Sequence, residues 1–165
     1  MISTIREYIE SKFEQLNAGR SSPARVRLIE NDLILSQISA SQADINYQLY
    51  ITGIEDRSEY EASNFQSVSV RLDFVFIVAN KDYTIYQEKF DNFVYMLFKL
   101  IKQDMSGVRW EGSENSGAAL HEITAMAITD ANRFEDSYYK PAIEFTVLAS
   151  DEMTNAIYGT ENSLV

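Results

Sequence analysis

The sequence predicts an α+β fold: a mostly antiparallel sheet with an N-terminal helix and one long central helix packed on one face. Three observations carry this. In FQSVSVRLDFVFIVAN (65–80), Val68, Val70, Leu72, Phe74, Phe76 and Val78 recur at period two, the signature of a strand with one apolar face. In YTIYQEKFDNFVYMLFKLIKQD (83–104), Tyr86, Phe90, Phe93, Val94, Leu97 and Ile101 recur at spacings of three and four, the stripe of a helix lying on a core. The remaining strand-like stretches are separated by polar connections of hairpin length, which favours antiparallel pairing with the helices segregated to one side.

Taken in order, residues 2–17 read as a helix through the i, i+4 series Ile5, Ile9, Phe13, with Ile2 and Leu16 near its ends and a stop at Asn17-Ala18-Gly19. Thr4 with Glu7 fits a capping box, as does Thr84 with Gln87 at the second helix. Val26, Leu28 and Leu33–Leu35 suggest short strand pieces, and the small polar run 36–44 reads as a loop. Ile45–Thr52 alternates Ile45, Tyr47, Leu49, Ile51 against Asn46, Gln48, Tyr50 and reads as a strand. GIEDRSEYEASN (53–64) then forms a hairpin tip in which Glu55, Asp56, Glu59 and Glu61 outnumber Arg57. On the central strand Ser69, Arg71 and Asp73 point away from the apolar set. Val75 and Ile77 are apolar on that same side, so the strand's far end is covered on both faces.

Beyond the long helix, 105–117 is a turn-rich loop holding the sole tryptophan, Trp110, as a core plug or an interface anchor. Ala118–Thr129 is a strand with Leu120, Glu122, Thr124, Met126 and Ile128 on one face and His121, Ile123, Ala125 and Ala127 on the other. Residues 130–140 are a polar connection, with Asp130, Glu135 and Asp136 as its acids. Pro141–Ser150 is the last strand, proline being tolerated at a first position because it lacks only an amide hydrogen. Residues 1–150 thus make one α+β domain, and 151–165 a loose or partner-bound tail.

Composition narrows the chemistry. A chain of 165 residues folds as one domain that buries roughly 70% of its unfolded surface and needs no staple. With no cysteine there are no disulfides, thiolate metal sites or cysteine nucleophile. The net charge of −11, from 25 acids and 14 bases, disfavours phosphate binding, which needs a basic face. Arg20, Arg25 and Arg27 come nearest to one. No apolar run reaches the ~18 residues of a membrane span, and no basic region leads into an apolar run as a secretory signal requires. Nucleotide-binding, nucleophile-elbow, zinc-protease and EF-hand patterns are absent, so no cofactor or metal is expected. His121 is the only histidine, and Glu122 with Glu144 on neighbouring strands is the best available carboxylate pair for acid–base work.

Three pieces together carry a family resemblance: the helix IREYIESKFEQL (5–16), the strand ending VFIVAN with DYTIYQEKFDNFVYMLFKLI after it, and ITDANRFEDSYYKPAIEFTVLASD (128–151). In their order and character they resemble tail terminator, or tail completion, proteins of long-tailed bacteriophages and related contractile particles. The resemblance spans most of residues 1–151. It implies a small α+β domain that assembles as a hexameric ring, caps the tail tube and joins it to the neck or head, with DNA passing through the lumen without specific binding. Its implied partners are further copies, a tail tube protein and a neck or connector protein, with no catalytic residues, cofactor or membrane. The implied place is the virion's tail–neck region, and the host cytoplasm during assembly. Glu55, Asp56, Glu59, Glu61, Trp110, Asp130, Glu135 and Asp136 are then the candidates for subunit or lumen contact. A neck, connector or tube component is the nearest alternative. From other classes stand a carboxylate-dependent small-molecule hydrolase and a monomeric binding module.

Overall fold

A computed structural model of the chain describes residues 2–18, 26–28, 45–57, 65–78, 83–104, 110–111, 118–135 and 138–151. The elements are α1 (Ile2–Asn17), β1 (Val26–Leu28), β2 (Ile45–Asp56), β3 (Phe65–Ile77), α2 (Tyr83–Asp104), β4 (Trp110–Glu111), β5 (Ala118–Thr129), β6 (Phe134–Glu135), β7 (Tyr138–Tyr139) and β8 (Ala142–Asp151). The main sheet runs β1-β2-β3-β8-β5-β4, antiparallel throughout except for the parallel pair β1–β2. The short β6–β7 hairpin attaches to the end of β3 through β7. The fold is α+β, as the patterning predicts.

The period-two residues of β3 lie at the centre. Val68, Val70, Leu72, Phe74 and Phe76 are buried together with Ile143, Phe145, Val147 and Ala149 of β8. Both helices cover this face. α1 contributes Ile5, Tyr8, Ile9, Phe13 and Leu16; α2 contributes Phe90, Phe93, Val94, Leu97 and Ile101, the stripe that its spacing predicts. Aromatic rings lock the layers: Phe13 lies 4.4 Å from Tyr47, and Phe74 lies 5.4 Å from Phe90 and 5.5 Å from Phe93. Each such buried side chain contributes about 1.5–3 kcal/mol from surface removed from water. At the other end of α2, Asp104 accepts an ion pair from Lys12, which is 3% exposed, and a hydrogen bond from Tyr8 Oη at 3.3 Å. That pair ties α1 to α2 where the core stripe ends.

Several expectations need correction. β2 does not stop at Thr52. A bulge at Thr52 lets it continue to Asp56, with Ile54 opposite Val68 and Asp56 opposite Gln66, so Glu55 and Asp56 are strand residues. Trp110 belongs to edge strand β4, opposite Leu120, and not to a loop. The 130–140 connection contains β6 and β7. Tyr139 is buried there, stacked 4.7 Å from Phe134 and 5.6 Å from Phe76, and its hydroxyl donates to Ala131 O at 2.9 Å.

The faces assigned to β5 also change. One extra residue at His121 and another between Thr124 and Ala127 break the pairing with β8. Leu120, Ile123 and Met126 therefore face the core at spacings of three, while Glu122, Thr124 and Ile128 are exposed. Neither capping box forms. Both threonines lie inside their helices, Thr4 Oγ1 is buried without a partner among the described residues, and Gln87 donates instead to Asn132 Oδ1 at 3.3 Å. The far end of β3 behaves as expected, with Val75 half-buried opposite the buried Asn46. Asp151, read as part of the tail, is the last residue of β8 and pairs with Ala118. The readings at 33–35, 36–44 and 152–165, with Arg20 and Arg25, lie outside the described residues.

Candidate functional site

The face of the sheet away from the helices is polar, and the register places its residues in rows across β2, β3, β8 and β5. One row runs Tyr50, Arg71, Glu144, Ala127; the next Gly53, Ser69, Thr146, Thr124; the third Glu55, Ser67, Leu148, Glu122. Period two puts these side chains opposite the buried set. Ser69, Arg71 and Asp73 are where the sequence alternation places them.

Arg71 is the hub of this face. Its Nε donates to Asp73 Oδ1 at 2.6 Å, Nη1 to Glu144 Oε1 at 3.0 Å and Nη2 to Asp130 Oδ2 at 2.6 Å. The planar guanidinium gives each of three carboxylates from three segments its own nitrogen, where a lysine would offer one point charge. The bond to Asp130, then that to Asp73, push the guanidinium further above its already high ordinary value, so it is charged at any relevant pH. Asp130 reaches Arg71 from a turn it opens in the left-handed region (φ 53°), closed by Arg133 N donating to Asp130 O at 3.0 Å. Short-chain Asp tolerates that conformation better than most residues. Three carboxylates around one guanidinium leave the cluster with a net charge of −2. Glu55 and Glu122, both exposed and with no ion-pair partner among the described residues, add negative charge further along the same face.

The predicted contact residues therefore separate. Asp130 joins the Arg71 cluster. Glu55 shares the polar face but sits four residues further along the strands, about 13 Å away. Asp56 points to the helix side, where Gln66 Nε2 donates to it at 3.3 Å. Glu135 is held between Arg133 Nε at 3.0 Å and Lys140 Nζ at 2.6 Å, and these two bonds, Lys140 first, lower its pKa. Glu59, Glu61 and Asp136 lie outside the described residues. Glu122 and Glu144 share a face, but their positions on β8 differ by four residues, about 13 Å. That exceeds the roughly 5–9.5 Å separation used in glycoside hydrolysis, and Glu144 is committed to Arg71.

His121 Nε2 meets Ser150 Oγ at 2.7 Å, and its ring lies 4.8 Å from Phe65. Ser150 is buried in β8, without the exposed strand-to-helix turn that presents a nucleophile. The contact seats the His121 bulge.

No protein-family model matches the chain, and no curated protein matches it significantly. Among the described residues there is no group of three or more potential metal ligands, and no helix long and apolar enough to cross a membrane.

The sheet's edges are the last feature of the site. β1 pairs with β2 only over Ile45–Tyr47, and β4 with β5 only over Ala119–Leu120. Among the described residues, the outer edges of β2 beyond Tyr47 and of β5 beyond Leu120 have no strand partner, leaving backbone donors and acceptors to pair elsewhere.

Proposed function

We propose that the protein is a structural component of a virion: a tail terminator that assembles as a six-membered ring, caps the tail tube and joins it to the neck, with DNA passing through the lumen. The observation that supports this reading best is the pairing of two features in one sheet. One face is covered by helices while the other is polar and acidic, and among the described residues the outer long strands β2 and β5 both keep open edges. Sheets of this kind can join edge to edge around an axis, β2 of one copy against β5 of the next, with helices outside and the polar face inside. Closure removes the exposed edges that otherwise invite uncontrolled pairing. Carboxylates on the inner wall would repel phosphates, so DNA would move through without sticking. The location in the virion's tail–neck region follows from the same reading.

Native mass spectrometry of the purified chain tests the ring, alone and with tail tube protein added. A hexamer, alone or on tube ends, is the expected species. Proline at Leu49, whose N–H points to the free edge of β2 and not to β3, should block assembly while leaving a folded monomer. A chain that stays monomeric with tube ends present would overturn the proposal.

A further inference from the structure

The helix side of the molecule carries two exposed patches of complementary character, and they lie far apart. The first is a groove of about 410 Å³ between the C-terminal end of α1 and the outer side of α2. Leu16, Tyr95, Met96 and Leu100 form its apolar wall, and Lys99 and Gln103 its polar rim. Tyr95 is 70% exposed. In a chain of net charge −11 this stretch is unusual: residues 92–103 contain Lys99 and Lys102 and no acid. Lys99 has no ion-pair partner among the described residues.

The second patch is the end of β2. The bulge at Thr52 turns Ile54 to the helix side, opposite the buried Val68, yet the helices do not reach that corner and Ile54 is 50% exposed. Asp56, two residues on and also exposed, points the same way. An apolar anchor beside a carboxylate matches an apolar groove beside an ammonium in both shape and charge. The match cannot be made within one chain. Phe13, at the groove end of α1, packs on Tyr47, and Ile54 lies seven residues further along β2, roughly 20 Å away.

We infer that Ile54 and Asp56 of one copy seat in the Leu16–Tyr95–Met96–Lys99 groove of a second copy. The contact is head-to-tail, joining two different patches, and so propagates to a ring or a stack and does not stop at a symmetric dimer. It rests on the reading of the chain as an assembly protein, and it uses the helix side, leaving the strand edges free for the closure proposed above.

The absence of native cysteine makes the test clean. Ile54→Cys and Met96→Cys each carry a single thiol; mixed in equal amounts and oxidised, they should give disulfide-linked I54C–M96C heterodimer well above its statistical share. Tyr95→Cys serves as a second groove position should M96C fold poorly. A heterodimer share no greater than random pairing, at both groove positions, overturns the inference. As an independent arm, Lys99→Glu should weaken self-association several-fold in sedimentation, and adding Asp56→Lys should restore it; failure of the double variant to recover also overturns it. Native mass of the unlinked chain separates the two proposals. Rings without heterodimer preference leave the proposed function standing and remove this contact. Heterodimer preference without rings keeps this contact and removes the proposed ring.

Discussion

Tyr8 and Tyr47 are the residues through which pH acts on this fold. Burial, then the charge of Asp104 and the hydrogen bond to it, push the Tyr8 phenol well above its ordinary value. Burial, then the charge of Glu10, raise that of Tyr47, against a smaller opposing effect of Arg6. Burial also lifts Tyr139, to about 12. In each case the fold holds the neutral phenol, whereas an unfolded tyrosine ionises near 10. Above that pH the unfolded chain binds fewer protons than the native one, so stability falls as pH rises. The contribution is complete below about pH 10 and is lost as pH climbs through the folded values. The melting temperature should therefore hold level to about pH 9.5 and then drop, with the buried tyrosines developing phenolate absorbance only as the chain unfolds. Tyr47→Phe, which keeps the ring packing against Phe13, should shift the drop to higher pH. Smooth phenolate titration of every tyrosine in a still-folded chain would contradict the burial described here.

At the scale of elements, β5 shows both what a sequence can reveal and where it stops. α1, α2, β3 and β8 were legible because their own periodicity matches the face they bury, and each is read without reference to a partner. ALHEITAMAIT also alternates acceptably at period two, yet its pairing with β8 inserts two extra residues. Each insertion reverses which face the following side chains take. Nothing local announces this, since the register is decided by which β8 residues lie opposite. The extension of β2 through Gly53 was hidden for a related reason: glycine and two acids argue for a tip, and only the Ile54–Val68 pairing keeps the strand going. The Arg71 cluster was half legible, with Arg71 and Asp73 on one strand face, while Glu144 and Asp130 needed the sheet to bring them in. The second bulge makes a prediction. Ala125 has φ 53°, a left-handed conformation costing a non-glycine residue roughly 1–2 kcal/mol. Its exposed side chain contributes little packing in return. Ala125→Gly should raise stability by up to about 1 kcal/mol, after the greater freedom of glycine in the unfolded chain is allowed for. Denaturant unfolding measures it, and a loss of stability would mean the bulge conformation differs.

For the whole molecule, the decisive quantity is where the acidic excess lies. The total of −11 says little alone, but the register gathers Glu55, Asp73, Glu122, Asp130 and Glu144 on one face around Arg71, with Arg57 two residues beyond Glu55. Three of these are held by Arg71 and are poor choices for substitution, because removing one leaves the others to rearrange. Glu55 and Glu122 are better: they end the same row, one on each outer long strand, and among the described residues neither has an ion-pair partner. If the polar face lines a lumen through which DNA moves, replacing both by lysine adds four charge units per chain to the wall without disturbing the core. Lysine near phosphate releases counterions and binds in a salt-dependent way. Particles carrying Glu55→Lys and Glu122→Lys should eject DNA more slowly at low salt, and raising ionic strength should restore much of the rate, because the Debye length falls from about 30 Å at 0.01 M to about 8 Å at 0.15 M. Glu135→Lys is the control, since it changes charge as much per site but sits on the β6–β7 hairpin, off the main strand path. Slowed ejection from the control alone would place the channel wall at that hairpin. Unchanged ejection from the double variant, in particles shown to contain it, would mean that the sheet's polar face does not meet the DNA.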